Sequence, residues 1–574
     1  MADRPPPSSE QRLDSWKEIA VYLKRGARTV QRWEREQGLP VHRLAHGKQG
    51  QVFAYKAELD AWWNSRGAAL EKEAPEARRP PVRLIGLVAA LVTLLVAGSY
   101  LIGRRLWRPA TPPDSKMVLA VLPFENLSGN QEQEYFSDGL TEEMITELGR
   151  LRSRQLSVIA RSAVMRYKRK TKNVAEIGRE LSADYLLEGS LRREGQRVRI
   201  SAQLIRASDQ THLWAESYDR DLVGILALQS EVARAVAGQI RLALSAEEET
   251  RLAGARPVAP EAHEAYLRGR FFWNKRTPED LRKALGHFQQ AIEKDPRFAR
   301  AYAGLADAYV LLEDYADVSP KEAFPKAKVA AEKALEIDPG LAEAHASLAM
   351  VKFAYEWDWA GAEKGFQHAI DLSPSYATAH HWYALLLASL GRLDQALTEI
   401  RRAQRLDPFS PGLKSAEAWR VHAAARRYDV ALEELRTALE LDPNYHLTHN
   451  RRGLVCVLTG RYEEGIQELQ RALPTASSPH LLADLGTAYA LADRKAEARN
   501  VLKTLTDRAS QTYVSPYRLA LIHAALGEKE AAIKSLRQAF EERDIGMVQL
   551  KVEPRLDALR QDPRFRDLLR RMHL

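Results

Sequence analysis

Apolar side chains follow several distinct patterns along the chain, and each pattern predicts a different kind of element. Residues 1–12 carry no periodicity and include the Pro/Ser-rich stretch RPPPSSEQ, a loose tail. At Ser15-Trp16-Lys17-Glu18 a capping-box pattern opens a helix, and Ile19, Ala20 and Leu23 fall on one of its faces. Lys24-Arg25-Gly26 breaks it, and a second helix is predicted from Ala27 to Glu36, where Val30 and Trp33 point together into a small core. The stretch GLPVHRLAHGKQGQVFAY predicts a β-hairpin with its tip at Gly47-Lys48-Gln49-Gly50, followed by a closing helix, KAELDAWWNSR, that packs Leu59 and Trp62. Residues 13–66 thus form one compact unit, and 67–83, with mixed charge, Ala and Pro, form a linker.

The run from Leu84 to Ile102 contains no charge and is bracketed by Arg83 and by Arg104, Arg105 and Arg108. At ~1.5 Å rise per residue it reaches across most of a ~30 Å hydrocarbon core, so residues 84–103 are predicted to be a single transmembrane helix, with the lipid bilayer as a partner. Tyr100 and Trp107 suit an interfacial belt. The run follows eighty-odd hydrophilic residues, which argues against a signal peptide. Arginines balance on its two sides, so flanking charge leaves the orientation open.

From 117 to 245 strand-like and helix-like patterns alternate, and a small α/β sandwich is expected. MVLAVLPFENLS and LSVIA read as strands, EYFSDGLTEEMITELGRL and VAEIGRELSA as helices, and YLLEGSLRREGQRVRISAQLIRA as a hairpin. Asp138, Glu142 and Glu143 cluster like a carboxylate site. Helix capping is the cheaper account: Ser137 or Asp138 as cap, and the glutamates at the positive end of the helix dipole.

From 260 to 544 nearly everything has helical period, punctuated by EKDP, EIDP, DLSP, RLDP and ELDP. Pro374, Pro408 and Pro443 are 34 and then 35 positions apart, the ~34-residue spacing of tetratricopeptide repeats. Small residues (Ala384, Ala396 and Ala403, then Ala431 and Ala438) stand where paired helices touch. About eight such repeats are expected to stack into a solenoid whose concave face takes a protein or peptide, or which serves as a spacer. Residues 545–574 are expected to cap it. His380, His381 and Trp382 fall at ordinary helix positions and are assigned to packing; the lone Cys456 is assigned as a small apolar filler. The fold class expected is multi-domain and mainly α: winged helix, single transmembrane helix, small α/β sandwich and repeat solenoid.

Composition changes this picture little. A net charge of +9 over 574 residues is a weak argument for an anionic partner, and one cysteine excludes an intramolecular disulfide and a cysteine-based metal site. Motifs for phosphate cradling, dinucleotide binding, zinc hydrolysis or a serine nucleophile are absent, so no enzyme and no cofactor is expected. His42 and His46 are four apart but in the expected wing, without a cysteine or carboxylate nearby, and are not assigned to a metal.

The candidate chemistry lies in the second helix. With Val30 and Trp33 inward, Arg28, Thr29, Gln31, Arg32 and Arg35 form its outer face, and these are donors able to read base edges or hold phosphates. Arg43 and Lys48 on the wing complete a set of candidate contacts to double-stranded DNA. SWKEIAVYLKRGARTVQRWEREQGLPVHR resembles winged-helix domains of the MerR and excisionase type. VLPFENLS, YFSDGLTEEMITEL, VIARSAVMRYK and HLWAESYDRDL resemble the TolB-like, or FlgO-like, module, and the layout is similar to ToxR/CadC-type membrane-bound regulators. The resemblance implies a one-component regulator with a cytoplasmic DNA-binding N-terminus, one span of the inner membrane, extracytoplasmic sensor domains and pairing as a homodimer. The alternative is a cell-envelope scaffold whose N-terminal domain binds protein.

Overall fold

A computed structural model describes residues 12–43, 52–72, 116–151, 155–169, 172–253, 256–316, 318–473 and 478–574. The chain divides into two compact units, Met1–Ala110 and Thr111–Leu574. The expected span 84–103 and the hairpin tip with Lys48 lie outside the described residues. Among the described residues no helix is long and apolar enough to cross a membrane.

In the first unit β1 (Arg12–Leu13), α1 (Trp16–Tyr22), α2 (Ala27–Gln37), β2 (His42–Arg43), β3 (Val52–Tyr55) and α3 (Lys56–Lys72) follow in order. The strands form a sheet of order β1-β3-β2, antiparallel throughout, so Arg12 belongs to the fold and not to a loose tail. Helix α3 continues six residues past the boundary expected at 66. The core is Ile19, Ala20, Leu23, Val30, Trp33, Leu39, Ala54, Leu59 and Trp62.

The second unit begins with a mixed sheet. Its strands are β4 (Met117–Val121), β5 (Glu125–Asn126), β6 (Leu156–Val158), β7 (Tyr185–Glu194), β8 (Arg197–Arg206) and β9 (His212–Asp221). The order is β6-β4-β7-β8-β9, with β5 beside β7; β4 runs parallel to β6 and β7, and β7-β8-β9 is an antiparallel meander. Gly195, at φ +61°, makes the tight β7–β8 turn. One face is covered by α4 (Glu134–Gly149) and α7 (Ile225–Gln239) through Leu140, Met144, Leu148, Val232 and Val236. The other carries α5 (Arg161–Met165) and α6 (Val174–Leu181) through Val164, Ile177 and Leu181.

Among the described residues from Pro260 to Glu542, eight helix pairs follow. Small residues hold each pair together: Ala284, Ala291, Ala396, Ala403, Ala431, Ala438, Ala532 and Ala539 are all fully buried. The expected terminal cap does more than cover the last pair. Trp359 Nε1 donates to the carbonyl of Met572 at 2.7 Å, and Arg426 pairs with Asp557 at 2.7 Å, so the C-terminal segment packs back onto the third and fifth pairs. Arg555, almost fully buried, binds Asp484 at 2.6 Å and Glu553 at 2.8 Å.

The carboxylates of α4 are not caps. A 3-10 turn, Gln131–Gln133, precedes α4, so Ser137 and Asp138 lie inside the helix. Ser137 Oγ donates to the carbonyl of Glu134, and Asp138 binds Lys168 at 2.5 Å. Glu142, Glu143 and Glu147 face the first helices of the repeats. Arg270 bonds to both Glu142 and Asp307; Arg300 reaches Glu143 (3.5 Å) and Glu147 (2.9 Å); His263 Nε2 lies 2.8 Å from Glu143, and Arg251 2.6 Å from Glu147. Burial alone would raise the pKa of both glutamates. Burial is the largest single influence on each, yet His263, Arg300 and Gln229 together around Glu143, and Arg300, Arg150 and Arg251 together around Glu147, hold the carboxyl below its usual range. Gly139 permits the approach, since a Cβ there would stand 2.7 Å from Leu267. Further contacts follow the inner face: Ser373 Oγ to the Gly149 carbonyl, Ser375 Oγ to the amide of Val158, and Ser162 to Asp407. The concave face that was expected to be open to a partner is in part occupied by this chain's own α/β domain.

These buried charges set three expected outcomes for stability. Arg300→Ala leaves two buried glutamates short of their guanidinium, and is expected to cost roughly 3–5 kcal/mol in urea unfolding of the whole chain. Because Glu143 and Glu147 are held low in the folded state, the stability they contribute is present at neutral pH and is lost as the pH falls below the ordinary glutamate range. Asp407 behaves oppositely: burial raises its pKa to about 6, so its ionised form opposes folding at pH 7 to 8. Asp407→Asn is therefore expected to stabilise the protein by about 2 kcal/mol at pH 7.5, an advantage that fades as the pH drops through 6.

Candidate nucleic-acid interface

Helix α1 starts where its sequence says it must. Ser15 Oγ accepts from the amide of Glu18 at 3.2 Å, and the Glu18 carboxylate accepts from the amide of Asp14 at 2.9 Å. Lys24, at φ +54°, turns the chain, and Gly26 begins α2. Gly38, at φ +66°, ends it in the left-handed conformation that glycine adopts without strain.

The register of α2 is set by Val30, fully buried, and Trp33, 7% exposed, which packs 5.9 Å from Trp62 and 5.7 Å from Trp63. About 3.6 residues per turn then put Arg28, Arg32 and Arg35 in solvent, with Thr29 and Gln31 half-buried at the edges of the face. Arg35 Nε donates to the carbonyl of Gln31 at 3.3 Å, within the helix. Arg32 stands 4.0 Å from Glu36, both more than 60% exposed. Exposed pairs of this kind contribute ~0–1 kcal/mol and leave a guanidinium able to exchange partners.

Arg43 on β2 lies 2.9 Å from Glu34 of α2, which joins the hairpin to the helix; nothing in the local pattern had signalled Glu34. His42 is accounted for within the fold, 2.7 Å from Glu58 and stacked on Phe53. Among the described residues no group of side chains could hold a metal ion. Lys48 and His46 lie outside the described residues. Arg28, Thr29, Gln31, Arg32 and Arg35 thus share one helix, with Arg43 fastened beside it. Chemically the surface offers guanidinium forks and an amide to an anionic, hydrogen-bonding partner.

Comparison with known proteins bears on most of the chain. Residues 115–234 match the second domain of HilA/YgeH-like transcriptional regulators, and residues 278–317, 357–411, 419–480 and 517–543 match tetratricopeptide-repeat families. The chain carries a HilA/YgeH-like regulator domain beside tetratricopeptide repeats. Over 465 residues it is 24% identical to the transcriptional regulator HilA of Salmonella typhimurium, covering 79% of this chain and 80% of that protein. It is 36% identical over 299 residues to "Putative adenylate cyclase 3" of Rhizobium meliloti, covering 50% of this chain and 43% of that protein, so it spans less than half of that relative's length. A solved tetratricopeptide-repeat protein, TTC0263 of Thermus thermophilus, is 20% identical with a TM-score of 0.30, covering 34% of this chain and 99% of that one. The α/β domain read as TolB-like therefore matches a domain of transcriptional regulators.

The packing of α2 separates core from surface within one helix. Trp33→Ala is expected to cost roughly 3–5 kcal/mol, while Arg32→Ala stays within about 0.5 kcal/mol, in thermal unfolding of the N-terminal unit followed by circular dichroism.

Proposed function

We propose that this protein is a membrane-anchored, one-component transcriptional regulator. In this reading residues 13–66 bind double-stranded DNA as a winged helix, with α2 as the recognition helix, residues 84–103 span the inner membrane, and the α/β and repeat domains sense a signal outside the cytoplasm. The observation that carries the reading is the exposed face of Arg28, Arg32 and Arg35, with Gln31 half-buried at its edge, held in one register by Val30 and Trp33. Similarity to HilA over most of both chains supports the regulatory half of it. The uncharged run Leu84–Ile102 supports the anchor, and DNA on the cytoplasmic side sets its orientation.

Arg32 and Gln31 are assigned base contacts, and Arg35, Arg43 and Lys48 phosphate contacts. An α2 of eleven residues reads few base pairs, so tight binding calls for two copies on paired half-sites. The repeats supply a surface for a protein or peptide partner, but a partner on the inner face must share it with the α/β domain, which is docked there. The reading assigns the chain no catalytic step.

The test is a fluorescence-anisotropy titration of residues 1–80 against genomic fragments and candidate operators at several salt concentrations. Arg32→Ala is expected to lose ~1–3 kcal/mol and relax specificity at one position, whereas Lys48→Ala weakens all sequences alike and lowers the salt slope by about 1. If neither change alters binding to any DNA, the envelope scaffold takes the lead. Reporter fusions before residue 78 and after residue 115 are expected to report opposite sides of the membrane, and the same side from both would refute the anchor.

A further inference from the structure

Between the α/β domain and the inner face of the repeats lies a cavity of about 740 Å³. All three parts of the second unit build its wall: Arg161 and Glu142 from the α/β domain, the first helices of successive repeats, and Asp544–Gln549 of the C-terminal segment. That volume is in the range of small-molecule sites, which run from ~300 to ~1,000 Å³.

Its wall has two electrostatic regions. In one, the carboxylates Glu142, Asp307 and Glu343 act on Arg270 and Arg300, and acid and base offset each other. In the other, Arg276, Arg420 and Arg451 line the wall together with His381 and act on its charge, while Asp307 reaches Arg276 from the first region. Arg276 lies over the ring of Trp273 at 3.6 Å, and Arg451 donates to Ser415 Oγ at 2.6 Å and to the Gly412 carbonyl. Arg420 sits in Glu417–Ala423, a stretch wound as a π-helix, a local widening of the kind found often at functional sites. His381 registers the field there: burial first, then the charges of Arg451, Arg420 and Arg276, push its pKa down to about 3, so its ring is neutral. Three guanidiniums gathered on a neutral imidazole favour an incoming group with more than one negative charge. Guanidinium forks match phosphate oxygens in pairs. Trp382 and Tyr376 also line the cavity and offer ring surface to the remainder of a ligand.

We propose that this cavity binds a small organic phosphate, its anionic group held by Arg276, Arg420 and Arg451 and its less polar part lying against Trp382 and Tyr376. The inference goes beyond the DNA-binding reading and does not depend on it. A ligand seated there touches the α/β domain, the repeats and the C-terminal segment together, and therefore stabilises their docked arrangement.

The test is isothermal titration calorimetry on the full chain with pyrophosphate, adenosine 5′-monophosphate, adenosine and citrate. Both phosphates are expected to bind at one site per chain and to raise the melting temperature, with adenosine and citrate at least about tenfold weaker. Arg276→Gln and Arg451→Gln are each expected to weaken pyrophosphate at least about tenfold. Arg451→Lys, which keeps the charge but not the fork, is expected to lose less, and Arg471→Gln, on an outer helix, nothing. Should the Gln variants melt early, a saturable change in tryptophan fluorescence of the wild-type chain with pyrophosphate is required in their place. Absence of phosphate binding to the wild type, citrate binding as tightly as pyrophosphate, or binding that survives both Gln substitutions in folded protein overturns the proposal.

Discussion

The second unit depends on one buried electrostatic contact: Glu142, Glu143 and Glu147 of α4 against Arg270, Arg300, Arg251 and His263. Desolvating so many charges is costly, and their mutual attraction roughly repays it, so the network adds little to net stability compared with apolar packing. Its effect is on specificity. Any arrangement in which α4 leaves the inner face, slides along it or turns over strands several charges in a place shielded from water. Gly139 against Leu267 fixes the distance of approach, and the charge network fixes the register.

A second closure acts at the far end. Repeat arrays are ordinarily quasi-one-dimensional, each pair touching its neighbours only, and unfolding can begin anywhere along them. Here Trp359 bonds to Met572, Arg426 to Asp557, and Arg555 joins Asp484 to Glu553, so the last thirty residues tie distant pairs together. With the α/β domain docked inside and the C-terminal segment returning outside the nearest-neighbour order, the unit is cross-linked by contacts between residues over 100 positions apart. Such contacts make its unfolding more cooperative than that of an open solenoid. They also explain why a cavity persists within it, since its walls come from segments that are each anchored elsewhere.

What could be read from the sequence was what is decided locally. The Ser15/Glu18 capping box, the Gly195 turn, the helix pairs with buried alanines at their contacts, and the inward Val30 and Trp33 all follow from spacing and from residue types within a few positions. The candidate DNA face was legible for the same reason, since two apolar residues three apart fix which side of a short helix faces out. Glu142 and Glu143 were misassigned because their partners lie far off in sequence: Arg270 stands 128 positions from Glu142. A glutamate near a helix start looks the same whether it answers a helix dipole or an arginine on another domain. The signal that was present, three glutamates within six positions on a helix also rich in apolar residues, points to a buried charged face, because a solvated helix has no need of so much apolar surface.

Arginine has opposite tasks in the two units, and burial decides between them. Arg270 and Arg300 are less than a fifth exposed and hold specific carboxylates, and no passing anion can displace a partner that is itself buried and nowhere else satisfied. Arg32 is more than half exposed, and its nearest acid, Glu36, stands at 4.0 Å on the same helix. An exposed pair this long is nearly isoenergetic with two hydrated ions, so exchanging Glu36 for a phosphate costs almost nothing while releasing counterions from the nucleic acid. The same argument makes Arg43 intermediate: its 2.9 Å bond to Glu34, itself only a fifth exposed, must be kept or traded. A residue that holds the hairpin against α2 is less free to change partners, so of the two arginines Arg32 is the one whose guanidinium an anion can claim at least cost.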